Sequence, residues 1–154
     1  MIVMDEDAVL NIMILVDISA FMNYGTRNVL KKEFVAEIAA SLGFSAAGNN
    51  DKVGLILFAD KVYKVIPPKK GRKHILAILS SILSADYVPT KSNIGVSLEY
   101  LMNIFKKKTL VFLFSEFDDD YNDKIVKVAA KKNQLLALRI YDEKDEEIPN
   151  VGFA

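Results

Sequence analysis

A chain of 154 residues that is 51% hydrophobic can build a full core as one soluble domain without disulfide or metal cross-links. The absence of cysteine excludes disulfides, thiolate metal sites and cysteine nucleophiles, and the balance of twenty basic against twenty acidic residues argues against a nucleic-acid binder that relies on bulk charge. No apolar run reaches the ~18–20 residues that span a bilayer, and no basic leader is visible, so we expect a cytoplasmic location without membrane insertion.

The stretch NIMILVDIS, residues 11–19, predicts the central strand. A nearly continuous apolar run of this length is typical of a parallel strand that is buried on both faces. The run ends abruptly at Asp17 and Ser19. In open α/β sheets ligands bind beyond the carboxyl ends of the strands, so this strand end is the first candidate for a functional site.

The segments on either side of this strand are less regular. Residues 1–8 suggest an edge strand or an entry arm, and residues 21–26 predict a loop in which Gly25 can adopt a positive φ. A helix is predicted over residues 28–46, where apolar side chains recur every three or four positions. Its stripe is Val35, Ile38, Ala39, Leu42 and Ala46. Residues 48–51 then predict a turn that ends this helix.

The middle of the chain predicts two strands and a helix. Residues 53–58 form a second buried strand. The alternation of residues 62–66 predicts an antiparallel edge strand, and Pro67 and Pro68 close it because proline cannot donate to a strand ladder. Residues 72–84 predict a helix. Its apolar set is Ile75, Ile78, Leu79, Ile82 and Leu83.

A loop over residues 86–90 leads to another helix, with Ser92 as its predicted N-cap. The buried stripe of that helix is Ile94, Leu98, Leu101, Met102 and Phe105. Residues 110–114 then predict a third all-apolar strand, which stops at Ser115 and Glu116.

The last third of the chain continues the alternation of strand and helix. Residues 123–132 predict a helix with lysines in its last turn, as the helix dipole favours. Residues 135–140 predict a further strand, and residues 151–153 suggest a short final one. The whole pattern predicts a Rossmann-like α/β fold, a three-layer doubly wound and mostly parallel sheet with one antiparallel edge strand, over a single domain spanning residues 1–154.

Oxygen-bearing side chains lie at the predicted strand and helix ends. They are Asp17 and Ser19 after the first strand, Ser92 before a helix and Glu116 after a later strand. In a doubly wound sheet the first and fourth strands meet where the winding reverses, so we expect these four to converge in one crevice. Carboxylates with hydroxyls suit a hard cation such as Mg²⁺ or Mn²⁺, and an open coordination position would accept a partner's carboxylate.

At these residues the chain resembles the metal-ion-dependent adhesion site (MIDAS) of von Willebrand factor A (VWA) domains. That pattern is Asp-x-Ser-x-Ser after the first strand, Thr before a later helix and Asp after a later strand. More closely, segments in the same order resemble the bacterial VWA-like domain of unknown function family 58 (DUF58). They are residues 17–22, 51–58, 66–74, 92–101, 111–117, 137–142 and 148–152. Family members are usually longer and carry an upstream region, so the resemblance implies a VWA portion of a longer protein.

Departures from the MIDAS pattern imply a degenerate site. Phe21 stands where the second Ser would bind the ion, Ser92 replaces Thr, and Asn93 follows where Asp is common. Glu116 replaces the distal Asp and reaches one methylene further. Because magnesium demands near-ideal octahedral geometry, we expect Mg²⁺ or Mn²⁺ to bind weakly or not at all.

Several of these residues also have a purely structural interpretation. Asp17 could hydrogen-bond loop amides, and Ser92 could be only an N-cap. An aromatic and apolar group could be either packing or an apolar rim where a docking partner buries aromatics. It comprises Phe21, Met22, Tyr24, Tyr87 and Phe117. We interpret residues 118–120 as a solvated turn, residues 69–73 as a solvated basic face, and His74 as an ordinary helix residue.

Two functional classes fit these observations. The first is a module that binds a protein through the strand-end crevice without chemistry of its own, and the resemblance implies a MoxR-type AAA+ ATPase as its partner in assembling or maturing protein complexes. The second is an aspartate-dependent phosphatase or phosphotransferase of haloacid-dehalogenase type using Asp17. That class needs Asp-x-Asp, and Ser19 replaces the second acid. A nucleotide-binding fold is less favoured still, because no Gly-rich phosphate loop follows any strand. We expect an interaction domain and not an enzyme.

Overall fold

The computed structural model describes residues 9–21, 26–117 and 123–140. Among these residues the strands are β1 (Asn11–Asp17), β2 (Lys52–Phe58), β3 (Val62–Lys69), β4 (Leu110–Ser115) and β5 (Gln134–Arg139), and the helices are α1 (Thr26–Gly48), α2 (Arg72–Leu83), α3 (Ile94–Ile104) and α4 (Asp123–Lys132). A short 3₁₀ turn, Ile18–Ala20, follows β1. The predictions for residues 1–8, the Gly25 loop and residues 151–153 lie outside the described residues.

The strands form one sheet in the order β3-β2-β1-β4-β5. β1 pairs in parallel with both β2 and β4, β4 pairs in parallel with β5, and β3 runs antiparallel to β2 at one edge. The predicted doubly wound, mostly parallel sheet with one antiparallel edge strand is confirmed. The register places Asp17 opposite Phe58 and Val16 opposite Phe114, so the carboxyl ends of the three central strands lie side by side.

Helices cover both faces of the sheet and bury alternate side chains of β1. On one face Ile14 and Val16 pack in a core with residues of α1 and α2. On the other face Met13 and Leu15 pack with residues of α3 and α4. Because both faces of β1 are covered, the strand can be apolar throughout, as its sequence indicated. Of the described helices, none combines the length and the apolarity that crossing a bilayer requires.

Two details of the fold differ from the sequence prediction. Leu83, assigned to the apolar set of α2, is 48% exposed because it is the last helical residue. Pro67 and Pro68 do not close β3, which continues through them to Lys69. An edge strand tolerates proline where its missing N–H faces away from the ladder, and the pairing with β2 is interrupted by a register shift between Val53 and Leu55.

Gly54 explains how β3 accommodates this irregularity. A Cβ atom at Gly54 would lie 2.7 Å from the carbonyl oxygen of Ile66 and 2.9 Å from the backbone nitrogen of Pro68. It would also lie 2.6 Å from the sulfur of Met13. The absence of a side chain therefore lets the irregular part of β3 lie directly against β2.

Candidate functional site

The polar residues at the sheet end converge because of strand alternation. Asp17 is the last residue of β1 and continues the face that carries Leu15. Ser115 is the last residue of β4 and continues the face that carries Leu113. α3 packs on this same face. The sequence order of the strands reverses between β1 and β4, so this sheet end is the topological switch point, beyond which α/β proteins typically bind ligands.

The carboxyl group of Asp17 is the centre of the cluster. Its Oδ1 accepts hydrogen bonds from the backbone N–H of Ser19 at 3.0 Å and from the Ser19 hydroxyl at 2.6 Å. Its Oδ2 accepts a hydrogen bond from the Ser115 hydroxyl at 2.8 Å. The side chain is only 1% exposed. Burial raises the pKa of Asp17 above its ordinary 3.8, and the hydrogen bonds from Ser19 and Ser115, together with the nearby Ser92 hydroxyl, offset only part of that rise.

Ser92 belongs to this cluster, but it is not the N-cap of α3. The cap is Asn93, whose side-chain oxygen accepts a hydrogen bond from the backbone N–H of Val96 at 3.2 Å. The backbone N–H of Asn93 also donates to the carbonyl of Ala59 at 2.7 Å, which holds the start of α3 against the end of β2. Ser92 therefore lies one residue before the cap, where its enclosed hydroxyl interacts with Asp17.

Glu116 lies at the same sheet end, but it has a different principal partner. Its Oε1 forms an ion pair with the ammonium nitrogen of Lys31 at 3.1 Å. Lys31 belongs to α1, on the opposite face of the sheet from α3. The guanidinium Nε of Arg139 donates to the backbone carbonyl of Glu116 at 3.3 Å. The structure thus brings Asp17, Ser19 and Ser92 together, whereas the carboxylate of Glu116 is held by Lys31.

The proposed apolar rim is corrected at Phe21. This side chain is 0% exposed and belongs to the core on the α1 and α2 face, so the structural interpretation holds for it. Tyr87 and Phe117 are half-buried, and Phe117 packs against the core on the α3 and α4 face. Met22 and Tyr24 lie outside the described residues.

Comparison with known proteins decides the family. A family described as "Protein of unknown function DUF58" matches residues 2–154. The chain belongs to the DUF58 family. The uncharacterized protein Rv1480 of Mycobacterium tuberculosis is 24% identical over 152 residues, which cover 97% of this chain and 48% of that protein. The chain thus spans about half the length of the curated relatives that it matches.

Solved structures share the fold. The conserved hypothetical protein BatB from Bacteroides thetaiotaomicron superposes with a TM-score of 0.66 at 19% identity, covering 84% of this chain and 66% of BatB. The proximal thread matrix protein 1 of the mussel byssus, solved with a zinc-occupied MIDAS motif, superposes with a TM-score of 0.62 at 20% identity, covering 85% of this chain and 38% of that protein. The DUF58 chain has a VWA-like fold.

Two residues of the cluster were missed from the sequence. Ser115 was seen only as the end of an apolar strand, although a polar residue on the same strand face as Leu113 should lie on the face that carries Asp17. Lys31 lies four residues before Val35 and eight before Ala39, so it continues the buried stripe of α1. A lysine on a buried stripe is the signal that could have predicted a buried ion pair.

The residues present fit a tight divalent-cation site poorly. Across residues 9–21, 26–117 and 123–140, no three His, Cys, Asp or Glu side chains form a cluster that could hold a metal ion. The oxygens of Asp17 accept hydrogen bonds from serines, Glu116 is paired with Lys31, and Phe21 offers no oxygen. The assignment of Asp17, Ser19, Ser92 and Glu116 as ligands of Mg²⁺ or Mn²⁺ stays a prediction.

Proposed function

We propose that the chain is a protein-interaction module of VWA type that binds a protein partner through the strand-end crevice. The observation that carries this proposal is the buried Asp17 carboxyl, which accepts hydrogen bonds from Ser19 and Ser115 at the switch point of the sheet. A buried carboxyl is costly unless it is hydrogen-bonded, and a hydrophobic residue would fill a purely structural strand end more cheaply. Perturbed titratable groups in clefts are typical of functional sites.

The proposed crevice is a degenerate adhesion site. Its position and its Asp-x-Ser motif are those of the MIDAS that the sequence resembles, while Phe21 and the pairing of Glu116 with Lys31 count against strong ion binding. Mg²⁺ or Mn²⁺ is therefore a weak or dispensable ligand in this proposal. Tyr87 and Phe117, which are half-buried, supply the aromatic surface that a partner would cover.

The partner we propose is a MoxR-type AAA+ ATPase, and the role is assembly or maturation of protein complexes as part of a longer, cytoplasmic protein. This step depends on the resemblance to the DUF58 family. Nothing in the chain's charge favours a nucleic acid as an alternative, because the basic and acidic residues balance.

A binding titration against a purified MoxR-type AAA+ ATPase tests the proposal. We expect Tyr87→Ala to weaken binding by ~30-fold, because a buried interface tyrosine often contributes about 2 kcal/mol. The matched control is Leu76→Ala, which removes an exposed apolar side chain from the first turns of α2. The last residue of β3 pairs with Val53, near the start of β2, and α2 begins soon afterwards. Leu76 therefore lies toward the end of the sheet opposite to the crevice. Absent binding, or equal losses in both variants, would contradict the proposal.

The phosphatase alternative requires Asp17 as a nucleophile. Its carboxyl is almost fully buried and accepts hydrogen bonds on both oxygens, an arrangement that obstructs attack on a phosphoester. Turnover of a generic phosphoester that disappears in Asp17→Asn would establish the enzyme instead of the binding module.

A further inference from the structure

Lys31 carries a positive charge from α1 to the end of β4. It lies on the buried stripe of the helix and is 9% exposed, which is rare for a lysine. A buried ammonium group must be paired, and its nitrogen lies 3.1 Å from Oε1 of Glu116. The two residues are separated by 85 positions in sequence, so the pair ties α1 to the end of β4.

The partner of Lys31 is the acidic residue that the MIDAS resemblance assigns to the ion. Glu116 follows directly after Ser115, whose hydroxyl binds Asp17. An ammonium group on this carboxylate opposes a divalent cation in two ways, because it occupies the ligand and it repels the second positive charge.

We infer that Lys31 is the resident cation of Glu116 and denies this carboxylate to a metal ion. Its ammonium group neutralises the carboxylate that the MIDAS resemblance assigns to the ion, so the Glu116 position is charge-balanced without metal. The poor fit of the donor set to magnesium is then a property of the site and not a defect. This inference rests on the proposed function in treating this end of the sheet as a binding site, but its test requires no protein partner.

The test measures Mn²⁺ binding by electron paramagnetic resonance, and thermal unfolding with Mn²⁺ or EDTA. Five proteins are compared, namely the wild type, Lys31→Met, Lys32→Met, the double variant Lys31→Met/Glu116→Gln and Asp17→Ala. Methionine keeps most of the volume of lysine and removes the charge. Lys32→Met is the matched control, because Lys32 is the neighbouring lysine on the same helix and contacts Phe21.

We expect the wild type and Lys32→Met to show the same Tm in Mn²⁺ and in EDTA. Lys31→Met should bind Mn²⁺ at least ~10-fold more tightly than the wild type, because a like charge has been removed from the site. Saturating Mn²⁺ should raise the Tm of Lys31→Met by about 3 °C or more. The double variant should lose this response, because it lacks the Glu116 carboxylate that Lys31→Met releases from its ion pair.

Two results would overturn the inference. One is Mn²⁺ binding by the wild type that Asp17→Ala abolishes. The other is an absence of any Mn²⁺ response in both the wild type and Lys31→Met. Should Lys31→Met fail to fold, Lys31→Gln retains a donor for Glu116 without the charge and gives the same comparison.

The failure of this inference is distinguishable from failure of the proposed function. A wild type that binds Mn²⁺ through Asp17 would overturn the role of Lys31 but leave the interaction proposal standing. Binding of the protein partner would then depend on Mn²⁺ and would be lost in EDTA. A metal-independent wild type that binds no partner would leave the role of Lys31 intact and remove the interaction proposal.

Discussion

The hydroxyl of Ser115 donates a 2.8 Å hydrogen bond to Oδ2 of Asp17, joining the last residue of β4 to the last residue of β1. The Ser115 hydroxyl also accepts a hydrogen bond from the backbone N–H of Phe117 at 3.2 Å. It therefore fixes both the Asp17 carboxyl and the loop that leaves β4. These two hydrogen bonds should make a measurable contribution of Ser115 to stability.

Replacing Ser115 with alanine should lower the free energy of unfolding by about 1.5–3 kcal/mol at neutral pH, the range for a hydrogen bond to a charged group. The matched control is Ser84→Ala, whose exposed hydroxyl donates to the carbonyl of Ser80. That change should stay within about 0.5 kcal/mol. Urea unfolding of the two variants checks the difference, and equal losses would show that the Ser115 bond is energetically unimportant.

The pH dependence of stability should carry the signature of Asp17. Its pKa in the folded protein lies above the ordinary 3.8, so as pH rises through 3.8 the unfolded chain loses this proton before the folded chain does. The folded state then binds more protons, and the contribution of Asp17 to stability falls until its folded pKa is passed. Urea unfolding of the wild type and of Asp17→Asn from acid to neutral pH isolates the contribution of Asp17 to the free energy of unfolding. A wild-type advantage that grows with pH would mean that the hydrogen bonds outweigh burial.

Restoring the missing hydroxyl of the MIDAS pattern should fail at the level of folding. Phe21→Ser removes a fully buried ring, and truncations of this kind cost about 3–5 kcal/mol. Phe34→Ser makes the same chemical change at a side chain that is 49% exposed, and it should cost far less. Calorimetric Tm values of the two variants make the comparison, and a well-folded Phe21→Ser protein would show that this core can collapse around the loss.

Gly54 and Gly48 should respond in opposite directions to alanine. A Cβ at Gly54 would meet backbone atoms of β3 at under 3 Å, so we expect Gly54→Ala to cost about 1–3 kcal/mol. A Cβ at Gly48 meets nothing within 4 Å at the end of α1, and Gly48→Ala should stabilise by about 0.4–1 kcal/mol. Unfolding free energies of both variants provide the check. A neutral Gly54→Ala would show that the close approach of β3 relaxes easily.

The elements of the fold were predictable because their patterns are local. The apolar runs of β1, β2 and β4 and the polar alternation of β3 each lie within a few residues, and they predict which strands are central and which is an edge. The continuation of β3 through Pro67 and Pro68 was not predictable, since it depends on Gly54 in a neighbouring strand.

The site was predictable only in part, for the same reason. Asp17 and Ser19 are two residues apart at a strand end, so their proximity follows from the sequence. The position of Lys31 on a buried stripe indicates that it needs a partner, but which residue pairs with it depends on how α1 lies across the sheet. The burial of Phe21 depends likewise on the path of the chain after the 3₁₀ turn.

The prolines of β3 have a consequence for association between copies of the chain. An unpaired edge strand offers a template on which another polypeptide can extend the sheet, and Pro67 and Pro68 interrupt the row of amide donors that such growth requires. Lys64 and Lys69 add charge along the same strand. We therefore expect any amyloid-like or domain-swapped polymer of this chain to form through a part of the molecule other than the β3 edge.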